Sequence, residues 1–288
     1  MAYQILRKEN LCPQIFLMEI DAPLVAKKAE PGQFIILRID EMGERVPFTV
    51  ADFDREKGSV TIIVQAVGKT TRALSQLQTG DTILDFAGPL GMPTKLDGLK
   101  KVAVIGGGLG NAIAYPQAKK LHAMGADVTM IAGFRSTDFI ILEKEMQAVS
   151  DRLIITTDDG SNGRKGFVTD RLGELLNDGE RFDEVLAVGP LMMMRAVCRL
   201  TEGYHIPTTV SMNPVMIDGT GMCGGCRVIV DGKPRFACVD GPDFDGHLID
   251  WDAAIQRQQM FKAQEKRACE EGECRIRTNC ERGEKQNG

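Results

Sequence analysis

Lys101–Ala112 reads K-V-A-V-I-G-G-G-L-G-N-A: an apolar run, a cluster of glycines, and the opening of a helical pattern. A strand that enters a helix through a glycine turn is the first half of a βαβ unit. The same rhythm recurs in D-V-T-M-I-A-G (127–133), L-I-I-T-T (153–157) and E-V-L-A-V (184–188), with helices expected from about Asn111, Asp138, Val168 and Leu191. This predicts an α/β domain over 99–210 built on a doubly wound parallel sheet, with D-G-L-K-K at its N-terminal junction.

Upstream the rhythm is different. Short β-rich runs, Q-I-F-L-M-E-I (14–20), Q-F-I-I-L-R-I (33–39), S-V-T-I-I-V-Q-A-V (59–67) and D-T-I-L-D-F (81–86), are separated by turn residues, which predicts an antiparallel β-barrel over 1–98. One helix is expected within it, where Thr70 and Thr71 precede Ala73, Leu74 and Leu77 at helical spacing. Downstream, 211–248 forms a glycine-rich cysteine segment with a hairpin at R-V-I-V-D-G-K-P-R-F (227–236). A charged helix, expected over about 249–266, and a polar tail make up 249–288.

The chain has 288 residues, 43% apolar and 26% charged, which suits two ordinary globular domains and a small appendage. A net charge of -5 lacks the basic field that a phosphate backbone requires, so no nucleic-acid partner is expected. The N-terminus M-A-Y-Q-I-L-R-K-E has no apolar leader and no run approaches a membrane span, so the expected location is cytoplasmic, with no membrane association. Glycine is abundant, 31 of 288 residues against a usual ~7%.

Eight cysteines in an intracellular chain point to metal or redox chemistry rather than disulfides. Cys223, Cys226 and Cys238 are spaced C-x2-C-x11-C among glycines whose backbone N–H groups can turn toward sulfur. Counting back five residues reaches Asp218, so the frame is D-x4-C-x2-C-x11-C, a plant-type 2Fe-2S pattern with a carboxylate in the first place. A zinc loop would need one more Cys or His, and the nearest downstream histidine is His247. Aspartate before Gly219 is also an ordinary turn residue. The tail cysteines Cys269, Cys274 and Cys280 fit no site by spacing, and no nucleophile–base or paired-carboxylate arrangement suggests a catalytic side chain.

Three further motifs, P-G-Q-F from Pro31, V-P-F-T from Val46 and G-D-T-I-L-D-F-A-G-P-L-G from Gly80, carry a resemblance to the ferredoxin-NADP reductase superfamily. Within it, the chain resembles the branch of the dihydroorotate dehydrogenase electron-transfer subunit. The resemblance implies an FAD held by Val46, Pro47, Phe48 and Thr49 along the flavin ring, by Ile63, Val64 and Gln65, and by the turn Gly68, Thr70 and Thr71. The arginine usual two residues before the aromatic is Val46 here, with Arg45 one place earlier.

The resemblance also implies a nicotinamide site at Gly106, Gly107, Gly108 and Gly110, with Arg135, Asp158, Gly160, Gly189 and Pro190 at later strand ends. The strand end A-G-F-R-S offers no acidic group for a ribose hydroxyl, which leaves NAD(H) and NADP(H) both open. The 2Fe-2S ligands become Asp218, Cys223, Cys226 and Cys238. Asp218 in place of a fourth cysteine, and the extension V-D-G-P-D-F-D-G-H-L-I-D-W-D beyond the last one, are similar to the small subunits of NADH-dependent reduced ferredoxin:NADP oxidoreductases, electron-bifurcating transhydrogenases.

That likeness implies an electron-transfer flavoprotein working as a heterodimer. Its partner would be a larger flavin and 4Fe-4S subunit resembling the glutamate synthase small subunit, with ferredoxin reached through the complex and hydride passing directly between cofactors. A dihydroorotate or sulfide dehydrogenase subunit is the sister alternative. A zinc-knuckled nucleotide-binding module without redox turnover is the alternative of another class.

Overall fold

The computed structural model describes residues 2–267. Its N-terminal part is antiparallel: β1 (Tyr3–Cys12), β2 (Ile15–Asp21), β3 (Phe34–Arg38), β4 (Val46–Thr49), β5 (Asp52–Asp54), β6 (Ser59–Gln65), β7 (Thr82–Ile83) and β8 (Asp85–Leu90), with short helices α1 (Pro23–Ala26) and α2 (Lys69–Leu74). The strands lie in two sheets, ordered β5-β6-β2-β1-β7 and β4-β3-β8. Register follows the pleat: Phe16, Met18 and Ile20 oppose Val64, Ile62 and Val60, and all six are buried in the barrel interior.

Strand β1 is not among the expected runs. Half of its sequence Y-Q-I-L-R-K-E-N-L-C is strongly polar and half of its positions are exposed, with Ile5 its one fully buried residue. Strand β3 is the opposite case. Ile35 and Leu37 point into the barrel core, while Phe34 and Ile36 belong to the core beneath the second domain. A strand buried on both faces loses polar alternation, which is why this run is continuously apolar.

The second domain is a parallel sheet of β9 (Lys101–Gly107), β10 (Asp127–Phe134), β11 (Arg152–Thr157), β12 (Glu184–Val188) and β13 (Thr208–Ser211), ordered β11-β10-β9-β12-β13. Helices α3 (Gly110–Ala123), α4 (Glu143–Ala148), α5 (Val168–Asn177) and α6 (Leu191–Glu202) connect the strands. The doubly wound sheet expected from the strand rhythm is present, and its order reverses at β9, where such sheets bind ligands.

Two local expectations need correction. The helix expected from Asp138 is a single 3-10 turn, and α4 starts only at Glu143. Ile141 is buried, and Leu142 takes a left-handed conformation (φ 55°) that no continuing helix allows. The final helix begins at Trp251 rather than Ile249, because Ile249 is buried and bridges Val230 while Asp250 caps the helix through the Ala253 N–H (2.9 Å).

The cysteine segment carries the hairpin of β14 (Arg227–Val230) and β15 (Lys233–Phe236), then β16 (Asp243–Asp245) and α7 (Trp251–Gln258). β16 adds antiparallel to β13, so this segment extends the nucleotide-domain sheet. Cys226, Val228, Ala237 and Cys238 share one buried cluster with Ile105, Val210 and the barrel residues Phe34 and Ile36. Helix recurs over 262–267. Cys269, Cys274 and Cys280 lie outside the described residues. Among the described residues, no helix is long and apolar enough to cross a membrane.

Candidate functional site

At the carboxyl end of β9, Gly106–Gly110 turn directly into α3. A Cβ on Gly110 would fall inside the Val188 carbonyl oxygen, so the turn packs backbone to backbone on the end of β12. Gly108 takes φ +56° with open space around it, the exposed left-handed position that a ligand phosphate can approach. Asn111, standing where a third glycine is usual, is fully buried. Its amide donates to Gly108 O (3.0 Å) and Gly133 O (3.3 Å), tying this turn to the end of β10.

The other nicotinamide candidates sit at neighbouring strand ends. Arg135 follows β10, exposed, with its guanidinium 5.9 Å from the Phe139 ring centroid. Asp158 and Gly160 follow β11, where Asp159 accepts from the Ser161 N–H and hydroxyl (2.9 and 2.7 Å). Gly189 and Pro190 follow β12. The Met193 side chain packs against both Gly107 and Gly189. In M-M-M, Met194 is buried core and Met192 is exposed, so the middle methionine alone reaches the glycine turn. Nothing in the sequence separates it from its neighbours, because helix phase is needed to do so.

In the barrel, Val46, Pro47, Phe48 and Thr49 pair with Leu37, Ile36, Ile35 and Phe34, and all four are half-buried. Val64 is buried, Ile63 nearly so, and Gln65 ends β6. At the following turn, Thr71 Oγ1 accepts from the Val67 and Gly68 N–H groups (3.0 and 2.9 Å), while Thr70 Oγ1 donates to Glu44 (2.8 Å). Thr71 therefore closes the turn and Thr70 faces outward. Helix α2 has six residues, so its dipole is small, and the donors left to a phosphate are those of its first turn.

A cavity of about 390 Å3 opens on the outer face of β3 and β8, lined by Tyr3, Ile36, Arg38, Arg45 and Asp85 among others. Arg45 thus reaches the sheet from its exposed loop despite being one residue out of register. Arg38 pairs with Asp85 at 2.6 Å. Ile36 joins this cavity to the cysteine loop. Gly219 (φ +74°) lies so close to the barrel that a Cβ there would be 2.9 Å from Leu90 and 3.1 Å from Ile36.

Within the loop, the Gly225 N–H points at Cys223 Sγ and the Cys238 N–H at Cys226 Sγ, both at 3.4 Å. N–H groups aimed at sulfur suit thiolates that carry a metal cluster's negative charge. Cys226 and Cys238 are buried, Cys223 exposed. Burial and the adjacent Cys226 thiol push the Cys238 thiol up to about 12, so an anionic sulfur there requires a bound cation.

Asp218 accepts from the Thr220 N–H (2.9 Å) and the Cys223 N–H (2.8 Å). These backbone donors, Thr220 first, hold its carboxyl below the usual aspartate range. It is both a turn residue and a permanent anion beside the thiols, with lone pairs left for a metal. Among the described residues, no three Cys, His, Asp or Glu side chains close on a common point. The donor set, three cysteines and an ionised aspartate with N–H groups aimed at two of the sulfurs, suits an iron-sulfur cluster in kind.

Two family models match: the oxidoreductase FAD-binding domain over residues 3–94, and the iron-sulfur cluster binding domain of dihydroorotate dehydrogenase B over residues 213–250. The "dihydroorotate dehydrogenase B (NAD(+)), electron transfer subunit homolog" of Thermotoga maritima is 45% identical, over 91% of this chain and 93% of its own. The chain belongs to the dihydroorotate dehydrogenase B electron-transfer subunit family. It is an FAD-binding oxidoreductase of ferredoxin-NADP reductase type with an iron-sulfur domain.

Other members are nearer in some respects. An uncharacterized protein of Clostridium beijerinckii is 48% identical over 96% of this chain and 98% of its own. A solved structure of the NADH-dependent reduced ferredoxin-NADP oxidoreductase, described for flavin-based electron bifurcation, superposes with a TM-score of 0.89 at 44% identity, covering 94% of this chain and 98% of that one. Relatives at 44–48% identity thus cover 91–96% of this chain.

Proposed function

We propose that this chain is the small subunit of an NADH-dependent reduced ferredoxin:NADP oxidoreductase, passing electrons between NAD(H), FAD and a 2Fe-2S cluster to or from a partner flavoprotein. The observation that carries this reading is the contact of Gly219 with Ile36 and Leu90, which seats the cysteine loop on the sheet that also presents V-P-F-T. When bound, the FAD takes hydride from a nicotinamide and yields single electrons, which an iron-sulfur cluster carries onward. The chain's residues supply placement. Val46–Thr49 and the turn at Gly68–Thr71 would hold the flavin, and Gly106–Gly110 with Gly189 and Pro190 would admit the dinucleotide. Asp218, Cys223, Cys226 and Cys238 would hold the cluster.

The partner in this reading is a larger subunit carrying its own flavin and 4Fe-4S clusters. The relatives named probable dihydroorotate dehydrogenase subunits favour the sister role, but those at 34–38% identity span only 75–81% of this chain. The subunit of the bifurcating enzyme is alike over 94% of this chain, as the Thermotoga maritima homolog is over 91%. Purifying the native complex tests the proposal: flavin absorption, iron in the small subunit and a copurifying iron-sulfur flavoprotein support it. A colourless zinc protein, or copurification with a dihydroorotate-oxidising subunit, overturns it.

A further inference from the structure

The helix that follows the iron-sulfur domain returns to the cysteine loop. Arg257 on α7 donates from Nη2 to the Gly225 carbonyl at 3.0 Å. Gly225 stands between Cys223 and Cys226, and its own N–H is the one aimed at Cys223 Sγ. The helix is itself well anchored. Asp250 caps it, Trp251 Nε1 donates to Gly246 O (3.0 Å), and Asp252 pairs with Arg195 of α6 at 2.9 Å. The family match to the iron-sulfur domain ends at residue 250, so this arginine comes from the extension beyond it.

Arg257 brings a positive charge to this loop. Its Nε is buried without a partner, and among the described residues it forms no ion pair. Arg257 is half-buried and its charge has no carboxylate partner among those residues, and the loop it holds is the one whose ligands would surround a net anionic cluster. That cluster's negative charge deepens on reduction, so a fixed cation beside it favours the reduced form. Asp218, on the same loop, is an anion held ionised by its backbone donors and works in the opposite sense.

We infer that Arg257 is a positioning residue for the iron-sulfur site: its hydrogen bond fixes the Gly225 peptide, and its charge raises the cluster's reduction potential. This rests on the cluster reading above. The test uses the intact complex with Arg257→Gln, which keeps an N–H donor without charge, and Arg257→Leu, which removes both. An EPR-monitored redox titration is expected to show a lower midpoint in both variants, by about tenfold in the oxidised-to-reduced equilibrium, or about 59 mV for one electron.

Iron release to a chelator is expected to quicken severalfold in Arg257→Leu and less in Arg257→Gln. Unchanged midpoints in both variants with full iron would overturn the inference. If Arg257→Leu fails to retain iron, the Arg257→Gln midpoint decides alone. A wild-type complex with no iron in this subunit would instead defeat the cluster reading on which the inference stands.

Discussion

Asp218 is at once a turn residue and a candidate iron ligand. Its carboxylate accepts two backbone N–H groups and lies five residues before Cys223, so it shapes the loop and would also ligate iron. Asp218→Ala removes both roles. The expected outcome is loss of most iron and of the cluster's EPR signal, while the flavin spectrum is unchanged; full iron content in that variant would rule out ligation. Asp218→Cys restores a four-cysteine frame and is expected to retain iron with a changed midpoint, since thiolate and carboxylate donate differently to iron. The C-x2-C pair and its glycines were legible as a metal loop from spacing alone. Arg257 was not, because thirty residues lie between it and Cys226 and nothing in a charged helix marks which arginine turns inward.

At the scale of elements, the glycine turn between β9 and α3 distinguishes two kinds of glycine that look identical in the sequence. Gly108 needs its left-handed φ but has open space around it, so Gly108→Ala should cost about 1 kcal/mol of stability from backbone strain. Gly110 is pressed against the Val188 backbone, which cannot move aside. Gly110→Ala should cost roughly 2–3 kcal/mol and displace the start of α3. Thermal denaturation of the two variants checks the ranking, and equal losses would contradict it. Strand β3 shows the same limit in another form. Its apolar run announced burial, but only the packed structure shows that alternate residues serve two different cores.

For the whole molecule, the barrel, α3 and the cysteine segment meet at Asp243. Its carboxylate accepts from the Thr94 hydroxyl (2.5 Å) and lies 3.4 Å from Gln117 Nε2, which also donates to Thr94 (2.9 Å). Asp243 is part-exposed as a residue, but its carboxyl is buried, with Oδ1 unpartnered among the described residues. Burial, against the Thr94 and Ser211 hydroxyls, pushes it up to about 6 from an ordinary 3.8. A raised folded pKa stabilises most below the unfolded value, so this contribution should fade between about pH 4 and 6 and be absent above, a change on the order of 3 kcal/mol. Asp243→Asn stays neutral and should flatten that part of the profile of melting temperature against pH while matching or exceeding wild type at pH 8. An unaltered slope would count against the junction as its source.

The sequence by itself determined four strands of the central sheet, the barrel's main strands and the position of the cysteine loop, because strand period, glycine turns and cysteine spacing are local properties. It left out β1, whose polar and half-exposed sequence lacks an apolar run, and the short strands β13 and β16, which pair with each other across residues 212–242, and it overextended the helix at Asp138, where a buried isoleucine and a left-handed Leu142 override local propensity. Only the tertiary structure decided that the cysteine loop rests on the flavin-type sheet, that Met193 is the methionine at the glycine turn, and that Arg257 and Asp243 face buried junctions. Those facts depend on which surfaces meet, and a surface has no period along the chain from which to read its neighbour.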